Sequence, residues 1–496
     1  MKVFTAEQIR EADAHTIRNE PVTSIGLMER AARAIFQWMV NCYDPSKRIA
    51  VVCGTGNNGG DGLAVSRMLH EHGYRVDVYV INRKTTGSDD FETNLNRLPV
   101  PWKQISESGE IPSFEQYGLI IDAIFGTGLS RAAEGIYAES IRAMNDSSVE
   151  ILAIDLPSGL FPDASSAGMK VVHATVTLTF QLPKLALLMP ENGRCTGEWE
   201  VLDIGLDQDF ISSQHSPFSL ITAGLVDQLI PARSKFDHKG NYGHGIIIAG
   251  SHGKIGAAVL AARAALRSGI GLLTMYIPRD GYPILQSAVP EAMVITDENE
   301  HYLSGIPDLE GASAVGIGPG IGRQAETVYT LEEALRNSNK PMVLDADALN
   351  LLAEHPHLKD LVPENSILTP HPGEFRRLVG EWNNDFERLD KQRSLSRERK
   401  WIVVLKGSHT SVSFPDGQVF FNTTGNPGMA TAGCGDVLTG VITSILAQGI
   451  KPTAAALCGV YIHGYAGDLA REAGSEAGLI AGDVVRYLPH AFAAFE

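Results

Sequence analysis

Cysteine is scarce and scattered in this chain. Its five cysteines (Cys42, Cys53, Cys195, Cys434, Cys458) are odd in number and never fall in C-x-x-C spacing. That argues against a disulfide framework and a thiolate metal site, and for a reducing compartment. Positive charge is also short: 41 Lys and Arg face 58 Asp and Glu, a formal net charge of −17. A balance of that sign suits neither nucleic acid nor an anionic membrane surface. The opening MKVFTAEQIREADAH lacks the apolar core of a secretory leader, and no apolar run reaches membrane-spanning length. The expectation is a cytoplasmic protein with no nucleic-acid partner and no membrane. With 496 residues, 44% of them hydrophobic, two or more globular domains are expected. Glycine, by contrast, is abundant: 50 residues cluster between apolar runs, as loops of an α/β protein would.

The most suggestive of those loops is Asn426–Asp436, NPGMATAGCGD, followed at once by Val437, Leu438, Val441, Ile442, Ile445 and Leu446. That apolar pattern has the period of an amphipathic helix. A glycine loop opening a helix aims free N–H groups and the positive dipole end at one spot, which suits a phosphate. A carboxylate there, Asp436, is poorly placed to bind phosphate but well placed to take a proton from a hydroxyl that attacks phosphorus. The plainer alternative is a glycine turn with Asp436 in the first turn of a helix.

In the N-terminal half, RIAVVC (48–53) reads as a buried parallel strand running into GTGNNGGDG (54–62) and a helix; a second strand follows at 76–81. The resulting βαβ unit puts a ligand over the helix N-terminus. The loop matches neither the dinucleotide fingerprint nor a P-loop. Two more strands end on carboxylates: LIIDAIFGTGLSR on Asp122, with a second glycine loop behind it, and VEILAIDLPSGL on Asp155 and Ser158. Asn58, Asp122 and Ser158 are oxygen donors, which suit a hard cation.

GNNGGDG, DAIFGTGL and DLPSGL, in this order, resemble the N-terminal module of NAD(P)H-hydrate repair proteins, the NAD(P)HX epimerase; the likeness runs from about Lys2 to Leu206. The resemblance implies that Asn57, Asn58, Gly59, Gly60 and Asp61, with Gly126, Thr127, Gly128, Leu129, Ser130, Arg131 and Ala132, bind the damaged dinucleotide. It implies potassium held by Asn58, Asp122 and Ser158, and Asp155 as substrate contact and acid/base for inverting the hydroxylated C6 centre.

Residues 207–217, DQDFISSQHSP, are polar and aperiodic, so the linker is expected at 211–222 between an epimerase domain over 1–210 and a second domain over 223–496. The second half repeats the strand–glycine–helix pattern: GIIIAGSHGKIG with Ala257 near the helix start, ASAVGIGPGIG with Gly320, PMVLDADALNLL, SILTPHPGEF with His371, and WIVVLKGSHT. The Lys-Gly pair at 406–407 serves a phosphate or turns a hairpin. GPGIG, LDADALN, TPHPGE, LKGSHT and NPGMATAGCGD resemble the ribokinase-like superfamily and, more narrowly, the NAD(P)HX dehydratase module. The expected fold class is therefore α/β: an N-terminal Rossmann-like three-layer αβα domain, then a ribokinase-like α/β domain.

By that resemblance Ala257, Gly320, His371 and Asp436 contact the hydrate, while Lys406, Gly407, Ser408, His409, Thr410 and Gly435 hold the nucleotide. Mg²⁺ and ADP (or ATP) serve as co-substrate, hydrated NADH and NADPH as substrates, and a homo-oligomer is the implied assembly. One rival is a ribokinase-type small-molecule kinase with a non-catalytic dinucleotide-binding N-terminal domain. A persistent phosphorylated product would favour it.

Overall fold

The computed structural model describes residues 1–81 and 86–496. The chain divides into two compact units: Met1–Ser216 with Asn384–Phe386, and Pro217–Asn383 with Glu387–Glu496.

The first unit holds β1 (Arg48–Cys53), β2 (Arg75–Ile81), β3 (Trp102–Ile105), β4 (Leu119–Ala123), β5 (Ile151–Ile154), β6 (Val176–Phe180) and β7 (Glu198–Leu202). They form one parallel sheet in the order β3-β2-β1-β4-β5-β6-β7. The central strands are mostly apolar because both faces are covered, as a parallel sheet favours; the buried exception in β4 is Asp122. Val51 and Cys53 pack with Ile35, Met39, Leu63 and Leu69 on one face. Ala50 and Val52 pack with Phe114, Ile141 and Met144 on the other, completing three layers.

The second unit holds β8 (Phe218–Leu220), β9 (His244–Ile248), β10 (Leu272–Ile277), β11 (Met293–Thr296), β12 (Ala314–Ile317), β13 (Met342–Leu344), β14 (Ile367–Leu368), β15 (Ile402–Leu405), β16 (Ser411–Ser413) and β17 (Val419–Phe421). The order is β11-β10-β9-β12-β13-β14-β15-β16-β17-β8. From β11 to β15 every pairing is parallel, with helices on both faces. The sheet departs from a purely parallel arrangement at one end, where β15–β16 and β16–β17 are antiparallel. Residues 406–410 close the first of those hairpins, because only a short turn separates β15 from β16.

Residues 211–222 are ordered. They include the end of the helix Gln208–Ser213 and the edge strand β8, which pairs with β17. An edge strand is held by backbone bonds to one neighbour, so it needs no strong apolar alternation. Among the described residues, no helix is long and apolar enough to cross a membrane.

Candidate functional site

In the first unit, β1 and β4 are neighbours whose onward connections run to opposite sides, so their carboxyl ends open a crevice. The loop after β1 delivers the helix Asn57–Glu71, which starts at Gly56 without a side-chain cap. Its first-turn N–H groups are thus free of a competing cap and suit an anion. Gly59 is dictated by close approach, since an added Cβ would lie 1.9 Å from the Gly54 carbonyl oxygen. The loop after β4 starts the segment Gly126–Ala132, where Thr127 N–H donates to Asp155 Oδ2 at 3.1 Å. A Cβ on Gly126 would sit 3.0 Å from both Asn58 Oδ1 and Asp155 Oδ2, so both glycine loops and Asp155 converge. Gly128, Ser130 and Arg131 continue that loop in exposed positions, with Leu129 and Ala132 half-buried between them.

Asp122 is fully buried. Its Oδ1 accepts from Ser158 Oγ at 2.5 Å and its Oδ2 from Ser158 N–H at 2.7 Å. Burial raises the carboxyl to about 6, against the lowering pull of the Ser158 and Ile124 hydrogen bonds. Asn58 Nδ2 is buried with no hydrogen-bond partner among the described residues. The Asp122 carboxylate, the Ser158 hydroxyl and the Asn58 amide oxygen form an all-oxygen donor set that suits a hard cation.

Two residues here lie outside the motifs. Lys184 has no exposed surface, and its Nζ donates to Asp155 Oδ1 at 2.7 Å, Thr179 Oγ1 at 2.9 Å and Phe180 O at 3.0 Å. Burial pushes Asp155 upward, but the Lys184 ammonium and the Thr127 and Phe180 backbone hold it below the usual carboxylate range. Asp61 moves the other way: burial, then the Asp155 and Asp13 charges, raise it well above that range. Asp13, on the helix Ala6–Asn19, is lifted to about 6 by burial, with Lys184 lowering and Asp155 raising it. The Asp155 and Asp61 carboxyl groups are therefore pushed in opposite directions, the kind of separation that general acid–base chemistry uses. Lys184 gave no warning in the sequence, because QLPKLALL reads as an apolar run. Asp155 itself adopts φ 66°, a left-handed conformation uncommon for a non-glycine residue.

In the second unit the crevice opens between β9 and β12. Their loops are laced together by Gly250 N–H to Pro319 O at 2.8 Å and Ser251 Oγ to Gly320 O at 2.7 Å. A cavity of about 470 Å³ follows, lined by Lys254, Ala257, Gly320, Asp347, Glu374 and Asp436. A larger cavity of about 830 Å³ is lined by Lys406, Gly407, Ser408, Thr410, Gly435 and His463. Asp436 borders both, as do Ala346 and Gly433. His371 lines the larger cavity and not the smaller one, and His409 lines neither. The helix cap explains His371: its Nδ1 accepts from Gly373 N–H at 2.9 Å while its own N–H donates to Glu374 Oε2 at 2.8 Å. Glu374, not the imidazole, faces the smaller cavity.

Asp436 lies in the first turn of the helix Cys434–Ala447, whose N-cap, Gly433, has φ 95° and no side-chain cap. Burial raises Asp436 to about 6, helped by Asp345 and Asp347 and opposed by Lys406. Asp345, 1% exposed, accepts from Lys406 Nζ at 2.8 Å and from Thr439 Oγ1 at 2.8 Å. Burial alone would lower Lys406, yet Asp345, Glu374 and Asp436 raise it, so it stays a cation on the wall of the larger cavity. Glu374 is pushed to about 7 by burial, with Lys406 lowering and Asp345 raising it. His463 is lowered to about 4 by burial, which makes it a neutral imidazole at neutral pH, and its Nε2 is buried with no partner among the described residues. Only tertiary packing could flag it, since a lone histidine in an apolar helix carries no motif.

Residues 24–186 match the family model of the YjeF-related protein N-terminus, and residues 246–490 match that of NAD(P)H-hydrate dehydratase. The chain is 37% identical to the bifunctional NAD(P)H-hydrate repair enzyme of Moorella thermoacetica, over 99% of this chain and 96% of that protein. A ribokinase-like superfamily protein from Enterococcus faecalis is similar in structure: 28% identity, TM-score 0.51, 57% of this chain and 98% of that one. The ADP/ATP-dependent NAD(P)H-hydrate dehydratase of Bacillus subtilis, co-crystallised with ATP/Mg²⁺, is 32% identical, with TM-score 0.49, 56% of this chain covered and 99% of that one. Two modules in this order, matched along nearly the whole length, place the chain in the family of bifunctional NAD(P)H-hydrate repair enzymes.

Proposed function

We propose that this protein restores hydrated NADH and NADPH in two steps. The N-terminal module interconverts the R and S forms at C6, with Asp155 as the proton-transferring group. The C-terminal module dehydrates the S form at the expense of ADP, giving AMP and phosphate. Direct loss of the C6 hydroxyl is hard, because hydroxide is the conjugate base of water, with pKa about 15.7. In the proposed route Asp436 takes the C6 hydroxyl proton as the oxygen attacks the terminal phosphorus and the bond to AMP breaks. The C6–O bond of the ester then breaks with loss of a ring proton, releasing phosphate and restoring NAD(P)H. The first-turn N–H groups after Gly433 and the Lys406 ammonium steady the charge on the moving phosphoryl group.

The observation that carries this reading is the position of Asp436 on the wall shared by the two cavities. Ala257 and Gly320 line the smaller one, where the hydrate is proposed to sit. Lys406, Gly407, Ser408, Thr410 and Gly435 line the larger one, proposed for the nucleotide, with His371 beside them. A magnesium ion bound with the nucleotide would supply charge neutralisation. A potassium ion held by Asn58, Asp122 and Ser158 would supply a fixed positive charge beside the epimerase crevice. The scattered cysteines support a reducing, cytoplasmic setting, and a homo-oligomer belongs to the same reading. The test is to incubate the protein with hydrated NADH and either ADP or ATP. NADH absorbance should return with stoichiometric release of phosphate; a persistent phosphorylated product would instead favour a small-molecule kinase.

A further inference from the structure

His252, Asp280 and His301 form a cluster that the proposed chemistry does not use. Each follows the carboxyl end of a different strand, β9, β10 and β11, which lie side by side at one end of the second sheet. His252 Nδ1 lies 2.6 Å and His301 Nδ1 3.4 Å from the same oxygen, Asp280 Oδ2. The imidazole centroids are 4.7 Å apart with planes at 67°, so the rings converge on the carboxylate instead of stacking. The other oxygen, Asp280 Oδ1, is buried and has no hydrogen-bond partner among the described residues.

The backbone beneath these side chains is cross-linked. His252 N–H donates to His301 O at 2.7 Å, Arg279 N–H to Asn299 O at 3.0 Å and Asp280 N–H to Glu300 O at 3.1 Å. The loop carrying His301 is wrapped around buried Asp297, which accepts from Asn299 N–H, Ser304 N–H, Ser304 Oγ, Gly305 N–H and Tyr276 OH at 2.6–2.9 Å. The backbone of the three loops is therefore held in one arrangement, from which the exposed His252 and His301 side chains extend toward Asp280.

We infer that His252, Asp280 and His301 bind a divalent transition-metal ion of the Zn²⁺, Co²⁺ or Ni²⁺ class. Two imidazoles and a carboxylate with open positions suit borderline ions, whereas Mg²⁺ and K⁺ favour oxygen-only sets. All three ligating atoms lie within 4.8 Å of one another, close enough for one ion after small side-chain rotations. Coordination by both carboxylate oxygens would also give Asp280 Oδ1 the partner it lacks. The bound ion would fasten the loop after β9, whose Ser251 bonds Gly320 O and whose Lys254 lines the smaller cavity.

The test uses the full chain, stripped with a chelator and titrated with Co²⁺ by visible absorption and with Zn²⁺ by calorimetry. Wild type should bind one ion with a Co²⁺ spectrum diagnostic of nitrogen ligation, unaffected by excess Mg²⁺. His252→Ala with His301→Ala should weaken binding by more than about tenfold, because losing a ligand costs at least what losing its outer-shell partner costs. Zn²⁺ should raise the melting temperature of wild type and not of that variant. Equal affinity and spectrum in wild type and the double variant would overturn the site. His301→Gln, which keeps polar bulk on an exposed loop, gives the same comparison if the double variant does not fold.

Discussion

Lys184 Nζ lies 2.7 Å from Asp155 Oδ1, and the two side chains are 0% and 9% exposed. The lysine has spent all three of its donors inside the protein, on Asp155, Thr179 and Phe180. Asp155 thus meets the crevice as a carboxylate whose orientation is fixed from behind. Lys184→Met would strand a buried charge, with an expected loss of about 3–5 kcal/mol of stability in urea unfolding. Because Asp155 is held below its ordinary value, its pairing stabilises the fold above about pH 4 and that gain fades on acidification. Lys184→Met with Asp155→Asn should recover part of the loss; a double variant no more stable than the single one would contradict the pairing.

Asp155→Ala alone separates the two activities. Dehydration of the S form should continue at the wild-type rate, while the R form is left unconsumed and repair of a mixture halts once S is used up. Chiral separation of the remaining hydrate reads this directly. Complete repair by the variant would remove Asp155 from the proposed proton transfer.

The position of Asp436 on both cavities gives a pH prediction. The proton acceptor must be ionised, and Asp436 is raised to about 6, so the dehydration rate should climb as pH rises through about 6 and then level. Asp436→Asn should lower nucleotide-dependent recovery by about 10²- to 10⁴-fold while epimerisation is unchanged. A rate that is flat from pH 5 to 8 under saturating substrates would count against this role.

His463 presents a neutral ring with a buried, unpartnered Nε2 on the larger cavity. Replacing it with Phe keeps a planar ring but removes the polar atom. If the nucleotide supplies the missing partner, its KM should rise up to about tenfold, the worth of one hydrogen bond. The KM for the hydrate should stay constant; a change confined to the hydrate would place His463 at the other substrate.

Much of this was legible in the chain. Alternating apolar runs and glycine loops dictated two α/β units, because strands covered on both faces are apolar along most of their length and tight strand-to-helix turns favour glycine. Gly54–Gly62, Asp122, Asp155, Ser158 and Asp436 announce themselves by lying at strand ends or helix starts, where backbone donors and dipoles concentrate. What the chain could not show is which side chains from distant segments meet. The pairing of Lys184 with Asp155, the Asp345 brace on Lys406 and the convergence of His252, Asp280 and His301 all depend on sheet order. Sheet order is decided by long-range packing, not by local propensity, so only the tertiary structure could bring those groups within bonding distance.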